Sequence, residues 1–242
     1  MIPQDKHKIV CQQRRDREKK LRIESILDAA RRVFFARGYL KATMDEIALE
    51  AEVTKPTIYQ YFKAKDDLFF SLMLPLLDDI RSQLEEAERN LTAGIIHDGE
   101  GLIKALFRAF YHGYETSPET FRIVQLFQQQ GLMGELKPEI RATLNDKGRV
   151  NFSLGRRLLT RGTELGLIKK VNVYELSDVI WGLTVGVIQL EDIKADDRKG
   201  HKLKKNTLHL AERLIIEALT GKAPSGQEKM NQNKVLKERG KT

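Results

Sequence analysis

The stretch ATMDEIALEAEVTKPTIYQYFKAKDDLF, residues 42–69, brings three predicted helix starts close together. At the first start, Thr43 and Glu46 have the spacing of a capping box, in which each side chain accepts a free backbone N–H from the other residue. This spacing predicts a short helix from about Thr43 to Ala51. The segment before it, RIESILDAARRVFFARG, has apolar residues at helical spacing and predicts an amphipathic helix that Gly38 ends.

The second start follows a tight turn at residues 52–53. Thr54 is placed to cap a helix that ends at Phe62, and Pro56 in the first turn of that helix costs no hydrogen bond. A further helix starts near Lys65. Two short helices joined by a tight turn, the second with polar and aromatic residues outward, predict a helix-turn-helix that places its second helix in a DNA major groove.

The helix starts themselves favour a phosphate ligand, because they carry free N–H groups and the positive end of the helix dipole. Threonine and lysine at these positions add hydroxyl and ammonium donors. The alternative is that Thr43 and Thr54 only cap their helices and that the tyrosines only pack. For Lys55, Thr57 and Tyr59 together, we favour contact with DNA.

Residues 22–69 resemble the DNA-binding domain of the TetR/AcrR family of transcriptional regulators. The resemblance is carried by FFARGYLKAT, then IALEAEVTKPTIYQYF, then KAKDDLF. This chain has Glu52 where the family usually has glycine in the turn, and Pro56 where a glycine is frequent in the recognition helix. The resemblance implies contacts with base edges or backbone phosphates. The residues that it implies are Thr43, Thr54, Lys55, Thr57, Tyr59, Tyr61 and Lys65.

Charge is distributed unevenly along the chain, whose net charge is +8. Residues 1–65 carry 15 lysines and arginines against 9 aspartates and glutamates, whereas residues 66–220 carry 21 against 23. Residues 221–242 carry 6 against 2. Basic ends on a nearly neutral body suggest that the ends meet a polyanion, and a solvated arm kept soluble by its charge is the alternative.

These patterns predict four parts. They are a basic N-terminal arm at 1–20, a helix-turn-helix DNA-binding domain at 21–65, a helical effector-binding and dimerisation domain at 66–220, and a disordered basic tail at 221–242. We expect an all-α fold of about nine helices. Cationic residues of the arm could follow a phosphate track or a minor groove. They are Arg14, Arg15, Arg17, Lys19 and Lys20.

The body is predicted to continue in helices after a long fourth helix that contains Pro75. A proline inside a helix kinks it. Position 75 is therefore either a point of movement between the DNA-binding domain, which we call the head, and the rest of the chain, or a static bend. Later helices are predicted near residues 102–115, 119–132, 138–164, 174–193 and 203–219. Gly166 and Gly221 are the predicted stop signals for two of them.

The last two helices are the predicted dimer surface. The segment ELSDVIWGLTVGVIQLEDI is apolar with two glycines four residues apart, which permits close helix approach. With TLHLAERLIIEAL, it resembles the helix pair that forms the family's intermolecular four-helix bundle. Burial inside one subunit is the alternative. The predicted interface residues are Trp181, Gly182, Val185, Gly186, Leu210 and Leu214.

Aromatic residues cluster on the two helices that follow residue 101, where they predict either an ordinary core or the apolar wall of a ligand pocket. Nearby polar residues would suit a largely hydrophobic effector that bears one polar or acidic group. The candidate pocket residues are Phe107, Phe110, Tyr111, Tyr114, Phe121, Arg122 and Gln125.

The sequence argues against several other classes. The histidines show neither an HExxH pattern nor metal-ligand spacing, and no GxSxG elbow, Walker loop or GxGxxG turn occurs, so we expect no enzymatic activity, cofactor or metal site. The single cysteine, Cys11, excludes a disulfide framework within the chain and fits a reducing cytoplasm. The longest nearly apolar run, residues 179–190, is shorter than a membrane span requires, so no membrane partner is expected.

The function predicted from these observations is that of a dimeric transcriptional regulator, a repressor that binds double-stranded DNA and is released from a pseudo-palindromic operator by a small hydrophobic effector. The alternative is a DNA-bound scaffold or nucleoid-associated protein that recruits a protein partner without such an effector.

Overall fold

The structure of the chain, a computed structural model, describes residues 4–194 and 200–221. Within these ranges all regular secondary structure is helical, which confirms the predicted all-α fold. The predicted tail lies outside the described residues except for Gly221. The nine α-helices in the described ranges are α1 Gln4–Lys41, α2 Met44–Glu50, α3 Lys55–Tyr61, α4 Lys65–Thr92, α5 Gly99–Thr116, α6 Pro118–Gln129, α7 Pro138–Glu164, α8 Val173–Lys194 and α9 Gly200–Thr220. A short 3-10 helix, Leu132–Glu135, lies between α6 and α7.

Glycines end several of these helices, as predicted. Gly38 near the end of α1 has φ 72° and ψ 164°, a conformation that residues with a Cβ rarely adopt. Gly166 after α7 and Gly221 after α9 also have positive φ. The predicted end of α6 at Leu132 is wrong: the helix ends at Gln129, because Gly131 takes a left-handed conformation with φ 68°.

The start of α1 differs from the prediction. The helix begins at Gln4, whereas the apolar spacing in the sequence placed the helical pattern from Arg22 onward. The earlier part has no apolar stripe, and pairs one helical turn apart support it instead. Such pairs join Arg14 to Glu18 and Gln12 to Asp16.

The described chain divides into two compact units. The first contains the described residues up to Gln83 together with Ala109–Ser153, and the second contains Leu84–Arg108 together with the described residues from Leu154 onward.

In the first unit, α1, α2 and α3 form a small core around fully buried isoleucines. Ile26, Ile47 and Ile58, one from each helix, have no exposed surface. Two ion pairs on the surface also join α1 to α2. Arg32 Nε lies 2.6 Å from Glu50 Oε1, and an Arg37 guanidinium nitrogen lies 3.0 Å from Glu46 Oε1. Because the later residue of α1 pairs with the earlier residue of α2, the two helices run antiparallel.

An aromatic cluster joins this head to α4 and α6 within the first unit. The Phe69 ring of α4 lies 4.2 Å from the Phe127 ring of α6 and 5.1 Å from the Tyr39 ring, between centroids. Tyr39 meets Phe127 edge-on at 4.9 Å, and Phe34 meets Phe69 edge-on at 6.1 Å. All four side chains are buried. They form one continuous packed layer from the end of α1 to the end of α6.

In the second unit, the segment between α7 and α8 pairs with the end of α9. The Lys169 backbone N–H donates to the Leu219 carbonyl at 2.9 Å, and its ammonium donates to the Ala218 carbonyl at 2.8 Å. The lysine thereby satisfies carbonyls that the end of a helix leaves free. Arg157 of α7 also donates two hydrogen bonds to the Glu88 carboxylate, at 3.1 and 2.9 Å.

Helix α8 contains the stretch Val173–Leu190, which is long and apolar enough to cross a membrane by length and composition alone, with a mean hydropathy of 1.2. One third of the stretch is buried inside the structure. Core helices of soluble proteins pass the same test of length and composition. The expected absence of a membrane partner therefore stays a prediction.

Candidate DNA-binding surface

Helix α2 starts with the capping box that the sequence predicts. The Glu46 backbone N–H donates to Thr43 Oγ1 at 3.2 Å, and the Thr43 backbone N–H donates to Glu46 Oε2 at 3.0 Å. Thr43 has extended backbone angles and an exposed side chain. Its hydroxyl hydrogen therefore remains available to a phosphate while the oxygen caps the helix.

The turn between α2 and α3 explains how the chain tolerates a glutamate where the family usually has glycine. Glu52 has φ 53°, a left-handed conformation that glycine adopts without strain and that other residues adopt at a cost. The turn therefore keeps the backbone shape that glycine would allow. Within it, the Val53 N–H donates to the Ala48 carbonyl at 2.9 Å.

Thr54 caps α3 as predicted. Its Oγ1 accepts the Thr57 backbone N–H at 3.4 Å and lies 2.8 Å from Thr57 Oγ1. Ile58 and Phe62 point into the core, and the rest of the helix stays at the surface. Thr54, Thr57 and Tyr61 share one face because they are three and four residues apart. This side of α3 thus carries two neighbouring threonine hydroxyls, with Tyr61 about one helical turn after Thr57.

Lys55 is exposed at the start of α3, but it has a partner that the sequence analysis missed. Its Nζ lies 2.9 Å from an Asp45 carboxylate oxygen in the first turn of α2. The hydrogen bond and charge of Asp45 raise the pKa of the Lys55 ammonium. Both side chains are mostly exposed, so the ion pair is weak and DNA phosphate can replace the carboxylate.

Tyr59 and Tyr61 are half-buried at the surface of α3. Lys63, which the sequence analysis also missed, donates from Nζ to the Tyr59 carbonyl at 3.0 Å. The spacing of four residues was the available signal, because a lysine after the last turn of a helix can reach a free carbonyl. Lys63 adds an exposed cation beside the predicted contact residues.

Lys65, which was predicted to contact phosphate, binds backbone carbonyls within the protein. Its ammonium donates to the carbonyls of Tyr39, Leu40 and Ala42 at 2.7, 3.3 and 3.1 Å, and it lies 4.4 Å from the centre of the Tyr39 ring. Burial lowers its pKa, with the charge of Asp66 acting in the opposite direction. Three carbonyls occupy the three donors of the ammonium, so a phosphate would have to displace one of them.

A network at the start of α4 is absent from the sequence-based prediction. The Tyr39 hydroxyl donates to Asp66 Oδ1 at 2.7 Å, and the Lys137 backbone N–H donates to Asp66 Oδ2 at 2.9 Å. Lys137 Nζ also donates to Asp67 Oδ1 at 3.0 Å. Burial and the hydrogen bond to Asp66 raise the pKa of Tyr39. These contacts join residues 27, 71 and 70 positions apart, so no local pattern could have indicated them.

The predicted dimer residues lie on the outer faces of α8 and α9 in the second unit. Leu210 and Leu214 are 46% and 57% exposed, and Gly182 and Gly186 are exposed. A Cβ added at either glycine would meet no other atom within 4 Å. Trp181 and Val185 are half-buried. The structure thus leaves an apolar face open in the single chain at the positions chosen from the sequence, and its use in a dimer stays a prediction.

The predicted effector residues are divided between the two units. Phe110, Tyr114, Phe121 and Gln125 are buried in the first unit, and Tyr111 and Arg122 are half-buried there. The Tyr114 ring lies 5.6 Å from both the Tyr111 and Phe121 rings. Phe107 is buried in the second unit. The structure confirms an aromatic cluster on α5 and α6, and its role as a ligand pocket stays a prediction.

In the parts of the chain that the structure describes, no group of three or more histidines, cysteines, aspartates or glutamates could hold a metal ion. The candidate DNA-binding surface consists of hydroxyl, ammonium and aromatic groups on α2, α3 and the residues next to them. A helix-turn-helix whose second helix presents such groups outward defines a class of DNA-binding proteins.

Comparison with known proteins finds a family match for the helix-turn-helix region. The sequence profile of the bacterial regulatory proteins of the tetR family matches residues 26–72. The HTH-type transcriptional activator FasR of Mycolicibacterium smegmatis is 34% identical over 99 residues, which cover 41% of this chain and 43% of that protein. The matches to the first curated relatives span less than half the length of those proteins.

Solved structures share the fold over most of the chain. The TetR family regulator PfmR from Thermus thermophilus matches with a TM-score of 0.66 and 18% identity, covering 79% of this chain and 97% of that chain. The transcriptional regulator FadR from Bacillus subtilis, solved in complex with stearoyl-CoA, matches with a TM-score of 0.55 and 22% identity, covering 77% and 96%. Residues 26–72 thus match the tetR family of bacterial regulatory proteins, and most of the chain shares the fold of the solved TetR-family structures.

Proposed function

We propose that the chain is a homodimeric transcriptional regulator that represses a promoter by occupying a pseudo-palindromic operator. The observation that carries the proposal is the surface side of α3, where the adjacent Thr54 and Thr57 hydroxyls and the half-buried Tyr61 lie beside the fully buried Ile58. Rigid backing from the core holds these groups in place, as sequence-specific contact with base edges requires.

The two heads of the dimer would read major grooves about one helical turn of DNA apart. Exposed leucines on α9 and open glycines on α8 support pairing of two copies through these helices, because a closed two-fold interface buries the same patch from both chains. Repression then follows from exclusion of the transcription machinery from the operator.

We further propose a largely hydrophobic effector with one acidic or polar group. The aromatic cluster of Tyr111, Tyr114 and Phe121 supplies apolar surface, and Arg122 lies next to Phe121 on α6. The similar FadR protein was solved with stearoyl-CoA, which combines a long acyl chain with an anionic head. Fatty acyl thioesters are therefore the ligand class that we propose for this chain.

The same helix connects this cluster to the head. Phe121 and Phe127 both lie on α6, and Phe127 packs directly on Tyr39 and Phe69. A ligand that shifts α6 would disturb the packed layer at the base of the DNA-reading helices. The effector needs only to prefer the shifted state by about 1–3 kcal/mol to weaken operator binding roughly 5- to 150-fold.

Stearoyl-CoA is the probe that tests the effector proposal. We expect it to raise the melting temperature of the protein and to weaken operator binding by at least roughly fivefold, whereas coenzyme A without an acyl chain does neither. An unchanged operator Kd with every chain length tried would contradict the proposal. It would favour the alternative of a DNA-bound scaffold that recruits a protein partner.

Substitutions on α3 test its role in reading DNA. Tyr59→Phe removes one hydroxyl that we assign to a backbone phosphate, so all duplexes should bind more weakly by about 1.5 kcal/mol, roughly tenfold. Thr57→Val keeps the side-chain shape but removes a polar group that we assign to a base edge, so the preferred sequence should change.

Binding of both variants to a randomised duplex pool, with sequencing of the bound fraction, separates the two effects. Thr143→Val, which makes the same change on an exposed face of α7, is the control and should leave affinity and preference unchanged. The assignment of roles is wrong if the Thr57 and Tyr59 variants weaken binding equally on all sequences.

A further inference from the structure

The N-terminal part of α1 projects beyond the core of the head. Every described side chain from Arg14 to Arg22 is exposed, and Ile26 is the first fully buried residue of the helix. At about 1.5 Å per residue, the stretch from Lys8 to Arg22 is roughly 21 Å long. Residues 14–22 are therefore helical although none of them belongs to the core.

Cations line one side of this projecting helix. Lys8, Arg15, Lys19 and Arg22 follow one another at spacings of seven, four and three residues. At about 100° per residue these side chains fall within an arc of roughly 60°. We call these four residues the cationic stripe. Ile26 falls in the same arc, so the stripe continues the side of α1 that packs into the head.

The acidic residues of this region lie outside the arc. Glu18 pairs with Arg14 at 2.8 Å, and Glu24 lies 3.9 Å from Lys20. Asp16 accepts a hydrogen bond from Gln12. Carboxylates thus pair with Arg14 and Lys20 outside the arc, whereas no ion pair joins the stripe to a carboxylate among the described residues.

We propose that the cationic stripe lies along the phosphate backbone of double-stranded DNA beside the groove that α3 reads. This inference rests on the proposed function. Charge complementarity points to a polyanion. The stripe lies on the same helix as Arg32 and Arg37, whose ion pairs with Glu50 and Glu46 fix α1 against α2 of the candidate DNA surface.

The helical form of the segment decides between the two DNA contacts that the sequence left open. A helix with its side chains is about 10–12 Å wide, whereas the minor groove of B-DNA is about 6 Å wide. The helix itself therefore stays outside the minor groove, and in our proposal its cations contact the phosphates. Such contacts add affinity and salt dependence but no sequence preference.

The test compares two triple variants of the 242-residue chain with equal net charge. The stripe variant carries Arg15→Gln, Lys19→Gln and Arg22→Gln, and the control carries Arg14→Gln, Arg17→Gln and Lys20→Gln on the other sides of the same helix. Glutamine keeps a helix propensity close to those of lysine and arginine. Circular dichroism verifies that both variants remain folded.

The wild-type protein first selects its preferred site from a pool of random duplexes. This site, with ten base pairs added on each side, is then titrated with each variant at several salt concentrations. We expect the stripe variant to lower the magnitude of the slope of log K against log salt by about 2.7 per bound chain, and the control to lower it by less than about 1. Both variants should keep the wild-type sequence preference.

Equal slopes for the two variants would overturn the proposal, because they would show that only net charge matters. The proposal would also be overturned if both variants kept the wild-type slope of log K against log salt. The stripe would then bind an acidic partner other than DNA. Failure of the proposed function gives a different result, because the wild-type protein would then prefer no sequence. In that case the slopes of the two variants can be compared on any duplex that the wild-type protein binds.

Discussion

Gly186→Glu is expected to give a folded monomer that binds its operator at least about a hundredfold more weakly than the wild-type protein. In the single chain, a Cβ at Gly186 meets no atom within 4 Å, and glutamate is a better helix former than glycine. The fold should therefore tolerate the change. In a two-fold interface, the two carboxylates would be buried near each other without partners, at a cost of several kcal/mol.

The loss of operator affinity follows from the loss of the second head. A dimer binds two half-sites as linked events, and linkage increases affinity by about 10²–10⁴ over one module. Sedimentation equilibrium and operator titration measure both effects. Gly148→Glu on α7, where an added Cβ also meets nothing within 4 Å, is the matched control and should remain dimeric. A dimeric Gly186 variant with normal affinity would contradict the assignment of this interface.

Phe69→Ala should cost about 3–5 kcal/mol of unfolding free energy, the range expected for a fully buried phenylalanine. The Phe69 ring lies between Phe34, Tyr39 and Phe127, so its removal leaves a cavity where α1, α4 and α6 meet. Because this layer supports the head, operator binding should weaken together with stability.

Urea unfolding followed by circular dichroism measures the stability loss. Phe35→Ala is the control, since Phe35 neighbours the cluster in sequence but is 44% exposed, and it should cost less than about 1 kcal/mol. A Phe69 variant that loses less than about 1 kcal/mol would show that the aromatic layer does not hold the head to α6.

Local chemistry made much of the fold predictable from sequence. The Thr43 capping box, the Thr54 cap and the glycine at position 38 each act within one helical turn, so their residue types and spacing identify them directly. Helix α7 follows from its apolar periodicity together with Pro138 at its start and Gly166 after its end. The outward groups of α3 follow because Ile58 and Phe62 fix which side is buried.

The features that escaped prediction depend on distant residues or on patterns without apolar spacing. Lys65 resembles a phosphate ligand in sequence, yet three carbonyls at the end of α1 surround its ammonium. Lys137 reaches Asp66 and Asp67 across 71 and 70 residues. The helical start of α1 lacks an apolar stripe, so charge pairs and not periodicity mark it as helix.

Selection of binding sites from random duplexes, followed by titration of the selected site and by the mass of the complex, tests the central claim most directly. The account predicts a pseudo-palindrome with half-sites about one helical turn apart, two chains per site, and an affinity that falls steeply with salt. Salt-sensitive binding to every duplex, with no enriched sequence, would contradict it. The chain would then be a DNA-bound scaffold and not a reader of operators.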